Sequence, residues 1–205
     1  NNAYRTKRIL TGTLGGIERL EGGATIAIIY YKSFRVIIPV QEMMLNLVVD
    51  TDHNYGEIAL RQNKIVNTML GCSIDFIIKG LDAKTRSIAA SRKDAMLKKR
   101  QTFYLDHDSS GNPKVYADRI VQARVIAVAE KVVRAEIFGV ETSIPARDLS
   151  FDWLGDANER FHVGDQILVR ILEVNVEDPE HITVRADVKS VEGNTSLANM
   201  LLCKV

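Results

Sequence analysis

Residues 37–43 read IIPVQEM, and residues 143–149, 106 positions further on, read SIPARDL. The second heptamer repeats the first in kind: an aliphatic residue (Ile38 or Ile144), a proline (Pro39 or Pro145), a small apolar residue, a polar one, an acid and a hydrophobic one. Upstream, RILTGTLGGIE (8–18) pairs with RIVQARVIAVAE (119–130), and ATIAIIYY (24–31) with KVVRAEIF (131–138). Downstream, each half has a glycine at a turn, Gly71 or Gly164, and then an alternating run, SIDFIIKGLD (73–82) or QILVRILEV (166–174). A polar turn, DAKTR or EDPEH, leads into a last short run, SIAAS or ITVRA. The heptamer repeats because a whole domain repeats.

Period-two alternation and richness in β-branched residues read as strands. Each half holds five of them, the number found in the small OB-fold barrel. The expected fold is therefore all-β: two five-stranded antiparallel OB-fold barrels joined by a short helical linker. The expected bounds are 5–92 for the first barrel, 93–113 for the linker, 114–190 for the second barrel, and 191–205 for a tail or a further element. Between the third and fourth strands, Ile58, Ile65 and Met69 predict a helix in the first half. The shorter FDWLGDANERFH (151–162) predicts a turn or a single 3₁₀ turn in the second. In SRKDAMLKKRQTFYL (91–105), Ser91 is a suitable N-cap, and Ala95, Leu97 and Leu105 bound a helical stretch with a basic outer face. Gly111 and Pro113 then break it.

The net charge of +1 excludes a heavily basic nucleic-acid coat, though not a local basic face. No apolar run approaches a membrane span, and no signal segment opens the chain. Cys72 and Cys203 lack metal-ligand spacing, which fits a reduced, cytoplasmic protein. The opening NNA without an initiator Met suggests an expression scar, and the stop at LLCKV a truncated fragment.

The stretch FHVGDQILVRILEVNVEDPEHITVRADVKS (161–190) resembles the closing half of the S-one RNA-binding domain, the repeated unit of small-subunit ribosomal protein one. Val163, Gly164 and Asp165 match that family's turn. Ile167, Val169, Ile171, Leu172 and Val174 match its long strand, and Ile182, Val184 and Lys189 its close. Asp148, Leu149 and Ser150 match the end of its third strand. The first half resembles the family more weakly, through RILTGTLGGIE, the shared heptamer and SIAASRKDAM. The resemblance implies binding of single-stranded RNA on strands two and three, with two aromatics and a His supplying stacking.

Here Lys131 and Arg134 stand at the aromatic positions, Pro145 at the His, and Arg147 just beyond it. In the first half Thr25, Ile28 and Pro39 take those places. Charge is thus expected to replace stacking in the second half. The candidate nucleic-acid ligands are Lys131, Arg134 and Arg147 on strands two and three, and Arg170 and Arg185 on the closing strands, since arginine pairs with phosphate and stacks on bases. The plainer alternative is a set of solvated strand residues. Trp153, the sole Trp, either plugs a barrel end or stacks on a base. In the first half the candidates are Tyr31, Phe34 and Arg35, beside Tyr30. Alternation sends one tyrosine inward and the other outward.

Pro39 and Pro145 are expected at an edge or bulge of strand three. The glycines of GTLGG and EGG read as a bulge and a hairpin turn, since no Lys-Ser/Thr follows for a phosphate loop. Asp50, Asp52 and His53, and Asp106, His107 and Asp108, are metal-competent but sit in turn-rich loops without a third cluster. Lys98, Lys99 and Arg100 read as a solvated helix face or a basic track. No catalytic residue, metal site or cofactor is expected. Two functions remain: a non-enzymatic, cytoplasmic protein that binds single-stranded RNA and associates with the ribosome, mRNA or other translation components, or a protein-interaction module whose barrels dock a partner and have lost RNA binding.

Overall fold

The computed structural model describes residues 2–45 and 55–192. Asp50, Asp52, His53, Cys203 and the expected tail from residue 193 lie outside them. The chain divides into two compact units, residues 1–98 and 99–205.

In the first unit a short helix α1 (Asn2–Arg5) precedes β1 (Leu10–Arg19), β2 (Thr25–Tyr31) and β3 (Phe34–Pro39). Helix α2 (Tyr55–Thr68) then leads to β4 (Ser73–Asp82) and β5 (Ser87–Ser91). The strands close into a barrel in the order β1-β2-β3-β5-β4. One pair departs from the expected antiparallel ring: β3 and β5 run parallel, with Arg35 opposite Ser87 and Ile37 opposite Ala89. The reason is parity, because an odd number of strands cannot alternate direction all the way round a closed ring. Leu14, Ile29, Val36, Ile38, Ile74 and Phe76 fill the interior, as alternation along each strand requires.

The second unit repeats this connectivity through β6 (Ile120–Ala129), β7 (Val132–Ile137), β8 (Val140–Pro145), α4 (Ala146–Leu149), β9 (Gln166–Val176), β10 (Ile182–Asp187) and α5 (Lys189–Glu192). A 3₁₀ turn at Ala157–Glu159 takes the place of the long helix. Here the expected closed barrel is not reached. The strands form a sheet in the order β10-β9-β6-β7-β8, with no ladder between β8 and β10 among the described residues. At that seam the Thr142 hydroxyl donates to the Val184 carbonyl at 2.6 Å, which occupies an acceptor that a ladder would use. The core contains Val121, Val125, Val133, Ala135, Ile137, Ile144, Val169, Ile171 and Val184.

Helix α3 (Arg92–Arg100) runs into a π-helical turn at Gln101–Leu105. Ser91 caps its start, with Oγ accepting from the Asp94 N–H at 3.0 Å. Buried Arg92 donates to the Met43 carbonyl at 2.6 Å inside the first unit. Arg100 departs from the expected solvated basic face, being only 5% exposed. Its Nε donates to the Gly139 carbonyl at 2.8 Å, and its Nη1 to the carbonyls of Pro179 at 3.1 Å and Glu180 at 2.8 Å. One guanidinium thus bridges the β7–β8 hairpin and the β9–β10 turn, and its fan of donors suits three carbonyls at once. Tyr104 is buried with its hydroxyl donating to the Ile137 carbonyl at 2.6 Å, and Phe103 stacks on Phe138 at 4.0 Å between centroids. Residues 99–105, assigned from the sequence to a linker, are packed into the second unit.

The repeated heptamer marks a strand end. Pro39 closes β3 and opens a 3₁₀ turn at Val40–Glu42, while Pro145 closes β8 and opens α4. A proline suits the start of a helical turn, where its missing N–H has no partner to lose. Neither proline makes a bulge: β2–β3 and β7–β8 pair without a shift of register. Two bulges lie at equivalent places, one in the first strand of each unit, between Leu14 and Gly16 and between Val125 and Ala127, and further register shifts fall between Ile78 and Gly80 and between Arg185 and Ala186. The first of these is the expected bulge in GTLGG, and the expected EGG turn follows it.

Candidate nucleic-acid interface

The β6–β7 turn, α4 and the β8–β9 connection (150–156) are tied together by backbone bonds. The Ala146 N–H donates to the Lys131 carbonyl at 2.9 Å, and the Ala157 N–H to the Glu130 carbonyl at 2.8 Å. Ser150 Oγ accepts from Arg160 Nη1 at 2.9 Å and from the Asp152 N–H at 3.2 Å. Asp156 accepts from the Asn158 N–H at 2.9 Å and from its side chain at 2.7 Å. These bonds to the ionised form hold the Asp156 carboxyl below its usual range.

On this scaffold stand two aromatics with little cover. Trp153 is 89% exposed and Phe151 77%. The Lys131 ammonium lies 5.5 Å from the Trp153 ring centroid and donates to the Gly155 carbonyl. It also lies 3.4 Å from Glu130 Oε1. The Trp153 ring packs close over Gly155, where a Cβ would fall 3.0 Å from Cζ3. The Lys189 ammonium lies 5.9 Å from the Phe151 ring centroid and donates to the Arg147 carbonyl at 2.9 Å and to Asp148 Oδ1 at 3.0 Å. The Arg147 side chain is 85% exposed, 4.0 Å from Asp148.

Residues 114–185 match the family model described as S1 RNA binding domain. The second unit resembles S1 RNA-binding domains. The match runs from the loop before β6 into β10 and takes in the Lys131–Trp153 cluster. No curated protein matches the chain. Two solved structures are similar. One is a crystal structure of an a/eIF2alpha–aDim2p–rRNA complex from Pyrococcus horikoshii OT3, 14% identical over 42% of this chain and 52% of that one, with a TM-score of 0.36. The other is a multidomain protein with nucleic acid binding domains from Streptococcus pneumoniae TIGR4, 9% identical over 95% of this chain and 57% of that one, with a TM-score of 0.35. The chain thus spans about half the length of each, 52% and 57%.

The candidate residues divide into two groups. Lys131, Arg147 and Trp153 converge on the turn, α4 and the connection. Lys131 sits in the β6–β7 turn and Arg147 on α4, so neither lies on a strand as expected. The turn takes Lys131 because β7 starts one residue later, and the proline puts Arg147 on a helical turn. The other cations are engaged elsewhere. Arg134 on β7 pairs with Glu141 at 2.5 Å, and Arg185 on β10 pairs with Glu173 at 3.1 Å. Arg170 on β9 is half-buried and donates to Ser190 Oγ at 3.1 Å and the Asp118 carbonyl at 3.4 Å.

In the first unit Tyr31 turns inward, edge-on to Phe76 with centroids 5.8 Å apart, while Tyr30 is exposed. A Cβ on Gly15 would fall 1.9 Å from Cε2 of Tyr30, so the edge of that ring occupies the space a side chain would need. Phe34 is exposed, and Arg35 pairs with Glu18. Sequence reading missed Phe151 and the part of Lys189. The available signal was two aromatics two positions apart in SFDWLG, within a stretch whose shortness already predicted a turn and not a strand that would bury them.

Among the described residues no group of three or more His, Cys, Asp or Glu could hold a metal ion. Asp108 Oδ1 accepts from the N–H groups of Ser110 at 2.8 Å and Asn112 at 3.1 Å, which makes it a loop-shaping residue. No described helix is long and apolar enough to cross a membrane.

Proposed function

We propose that this protein binds single-stranded RNA, and that the second unit does so at the end built from the β6–β7 turn, α4 and the 150–156 connection. The observation that carries this reading is Trp153, 89% exposed with the Lys131 ammonium 5.5 Å from its ring. An open π-face accepts a base and a cation beside it accepts the phosphate, the pairing that single-strand binders use. The match of residues 114–185 to an RNA-binding family supports it. The charge-for-stacking exchange drawn from the sequence gives way to a different division. Arg134 and Arg185 face acids away from any exposed ring, whereas Lys131 and Lys189, which face Glu130 and Asp148, also lie beside the exposed aromatics of the loops. Ribosomal or messenger RNA is the proposed natural source, with binding rather than catalysis as the activity.

A second reading is docking of a protein partner. It is favoured by the pairing of Arg134 with Glu141 and Arg185 with Glu173, which leaves the strand face near neutral. The deciding experiment is an anisotropy titration of the full chain with a labelled single-stranded RNA and with a duplex of equal length. Preference for the single strand supports the first reading. Absence of binding to either at low salt hands the surface to the second.

A further inference from the structure

The 150–156 connection carries one device twice. Each of two exposed rings, Phe151 and Trp153, has one lysine ammonium within 6 Å of its centroid: 5.9 Å for Lys189 and 5.5 Å for Lys131. Each lysine is tethered to a backbone carbonyl of the same region, Lys189 to Arg147 and Lys131 to Gly155. Both attachments fix an ammonium beside a ring and leave the ring open to solvent. A large aromatic left in water forgoes the stabilisation of burial, and two such rings within three residues are not needed to close this core. The core is already filled by Val133, Ala135, Ile144, Leu149 and their neighbours.

We infer that Phe151 and Trp153 stack two adjacent unpaired nucleobases of one strand, with Lys131, Lys189 and Arg147 neutralising the phosphates that join and flank them. The inference rests on the RNA reading above and names what that site takes. Extended chain spans at most about 3.3–3.6 Å per residue. The two rings are therefore rooted within about 7 Å of each other, close enough for neighbouring nucleotides. Bases held in a duplex present no free face to two such rings, so the site selects unpaired strand. The flanking lysines speak for a nucleic acid over a protein partner: lysine is depleted in the apolar core of protein interfaces, whereas phosphate neutralisation calls for it. The scaffold is fixed before binding by the Ala146–Lys131 and Ala157–Glu130 bonds, so little ordering is left to oppose association.

Trp153 is the sole Trp of the chain, so tryptophan fluorescence, excited where the six tyrosines do not absorb, reports this site. The probes are an oligouridylate of about ten nucleotides, an oligonucleotide of equal length with abasic sugars, and a duplex of that length. The expected result is quenching by the oligouridylate, little quenching by the abasic strand or the duplex, and weaker binding of both. By anisotropy of end-labelled probes, because Trp153→Leu removes the fluorophore, Phe151→Leu and Trp153→Leu should each lower oligouridylate affinity by about five- to 150-fold, with affinity for the abasic strand nearly unchanged. Phe151→Tyr, which keeps the ring, should restore binding. Both side chains are exposed, so far-UV spectra of the variants should match the parent. Equal binding of uridylate and abasic strands, or variants that bind uridylate as the parent does, overturns the inference while RNA binding stands. If the parent binds none of the three probes, both the inference and the RNA reading fail.

Discussion

Gly164 donates its backbone N–H to the carbonyl of Val125 at 2.8 Å, and Val125 donates its own N–H to the carbonyl of Asp165 at 2.8 Å. The first unit makes the same pair of bonds, Gly71 to Leu14 and Leu14 to Cys72, each at 2.9 Å. Val125 and Leu14 stand at the bulge of the first strand in their units, where the ladder shifts and two backbone groups need new partners. The glycine turn before the fourth strand supplies them.

Gly164 has a φ of +95°, a conformation that side chains rarely adopt. Gly164→Ala should destabilise the second unit by about 1–3 kcal/mol, read as a lower urea midpoint with an unchanged slope. A midpoint equal to the parent's would show that the turn relaxes and that the paired bonds do not anchor the bulge.

Tyr104 and Arg100 lie N-terminal to the region that matches the family model, yet both are packed into the second unit. A fragment spanning 99–192 should therefore unfold cooperatively, and one spanning 112–192 should be less stable by at least about 3 kcal/mol, the cost typical of losing a buried aromatic. Urea titrations followed by near-UV circular dichroism compare them. Equal midpoints would make 99–105 a mere connector.

Replacing Lys131 and Arg147 by Gln should leave stability within about 0.5 kcal/mol for each change, since both side chains are exposed and no carboxylate is added beside Glu130 or Asp148. Single-strand affinity should fall steeply. Three phosphate contacts by Lys131, Arg147 and Lys189 predict a slope of log affinity against log salt of about −2 in the parent, at about −0.7 per contact. Arg134→Glu should behave differently. It sets a new carboxylate beside Glu141, the present partner at 2.5 Å, so its melting temperature should drop. Melting and salt-dependent anisotropy on the same variants separate the two outcomes. A parent slope near zero would remove the cations from the binding account.

His181 Nδ1–H donates to the ionised Asp178 Oδ2 at 2.7 Å in the β9–β10 turn. The hydrogen bond and the charge of Asp178 raise the imidazole above its ordinary value of 6.5, and the same contact lowers Asp178. A raised histidine contributes its stabilisation fully below its unfolded pKa, and loses it as pH climbs through the folded pKa. The lowered Asp178 contributes above its unfolded pKa and loses its share as pH falls through the folded value. The pair should thus be tightest between the two, near pH 5–6. An NMR titration should place His181 above 6.5 in the parent and clearly lower in Asp178→Asn, where only the charges of Glu177 and Glu180 still raise it. No change between the two proteins would dissolve the pair.

Much of the fold is legible in the residues themselves. The alternation in β6 to β10, the glycine turns, the Ser91 cap and the helix over 55–68 are local patterns, set by side-chain period and backbone preference. Doubling of the heptamer reveals two copies of one topology without any contact being known. What tertiary structure alone decided are matters of register, closure and company. Parity forces β3 and β5 parallel in a closed ring of five, which no local pattern records. The second sheet lacks a β8–β10 ladder among the described residues, and Thr142 bonds to Val184 across that seam through its side chain. Arg100 looked like the end of a basic helix face, but three carbonyls from two different turns draw its guanidinium inside. Arg134 and Arg185 looked like open cations until the sheet set Glu141 and Glu173 beside them. Phe151 looked like one more turn residue until Lys189, 38 positions on, came to lie by its ring. Local sequence determines which element a residue joins, because that depends on near neighbours along the chain. Whether a charge is spent or free, and whether a ring is covered or open, depends on residues far along the chain that only folding brings together.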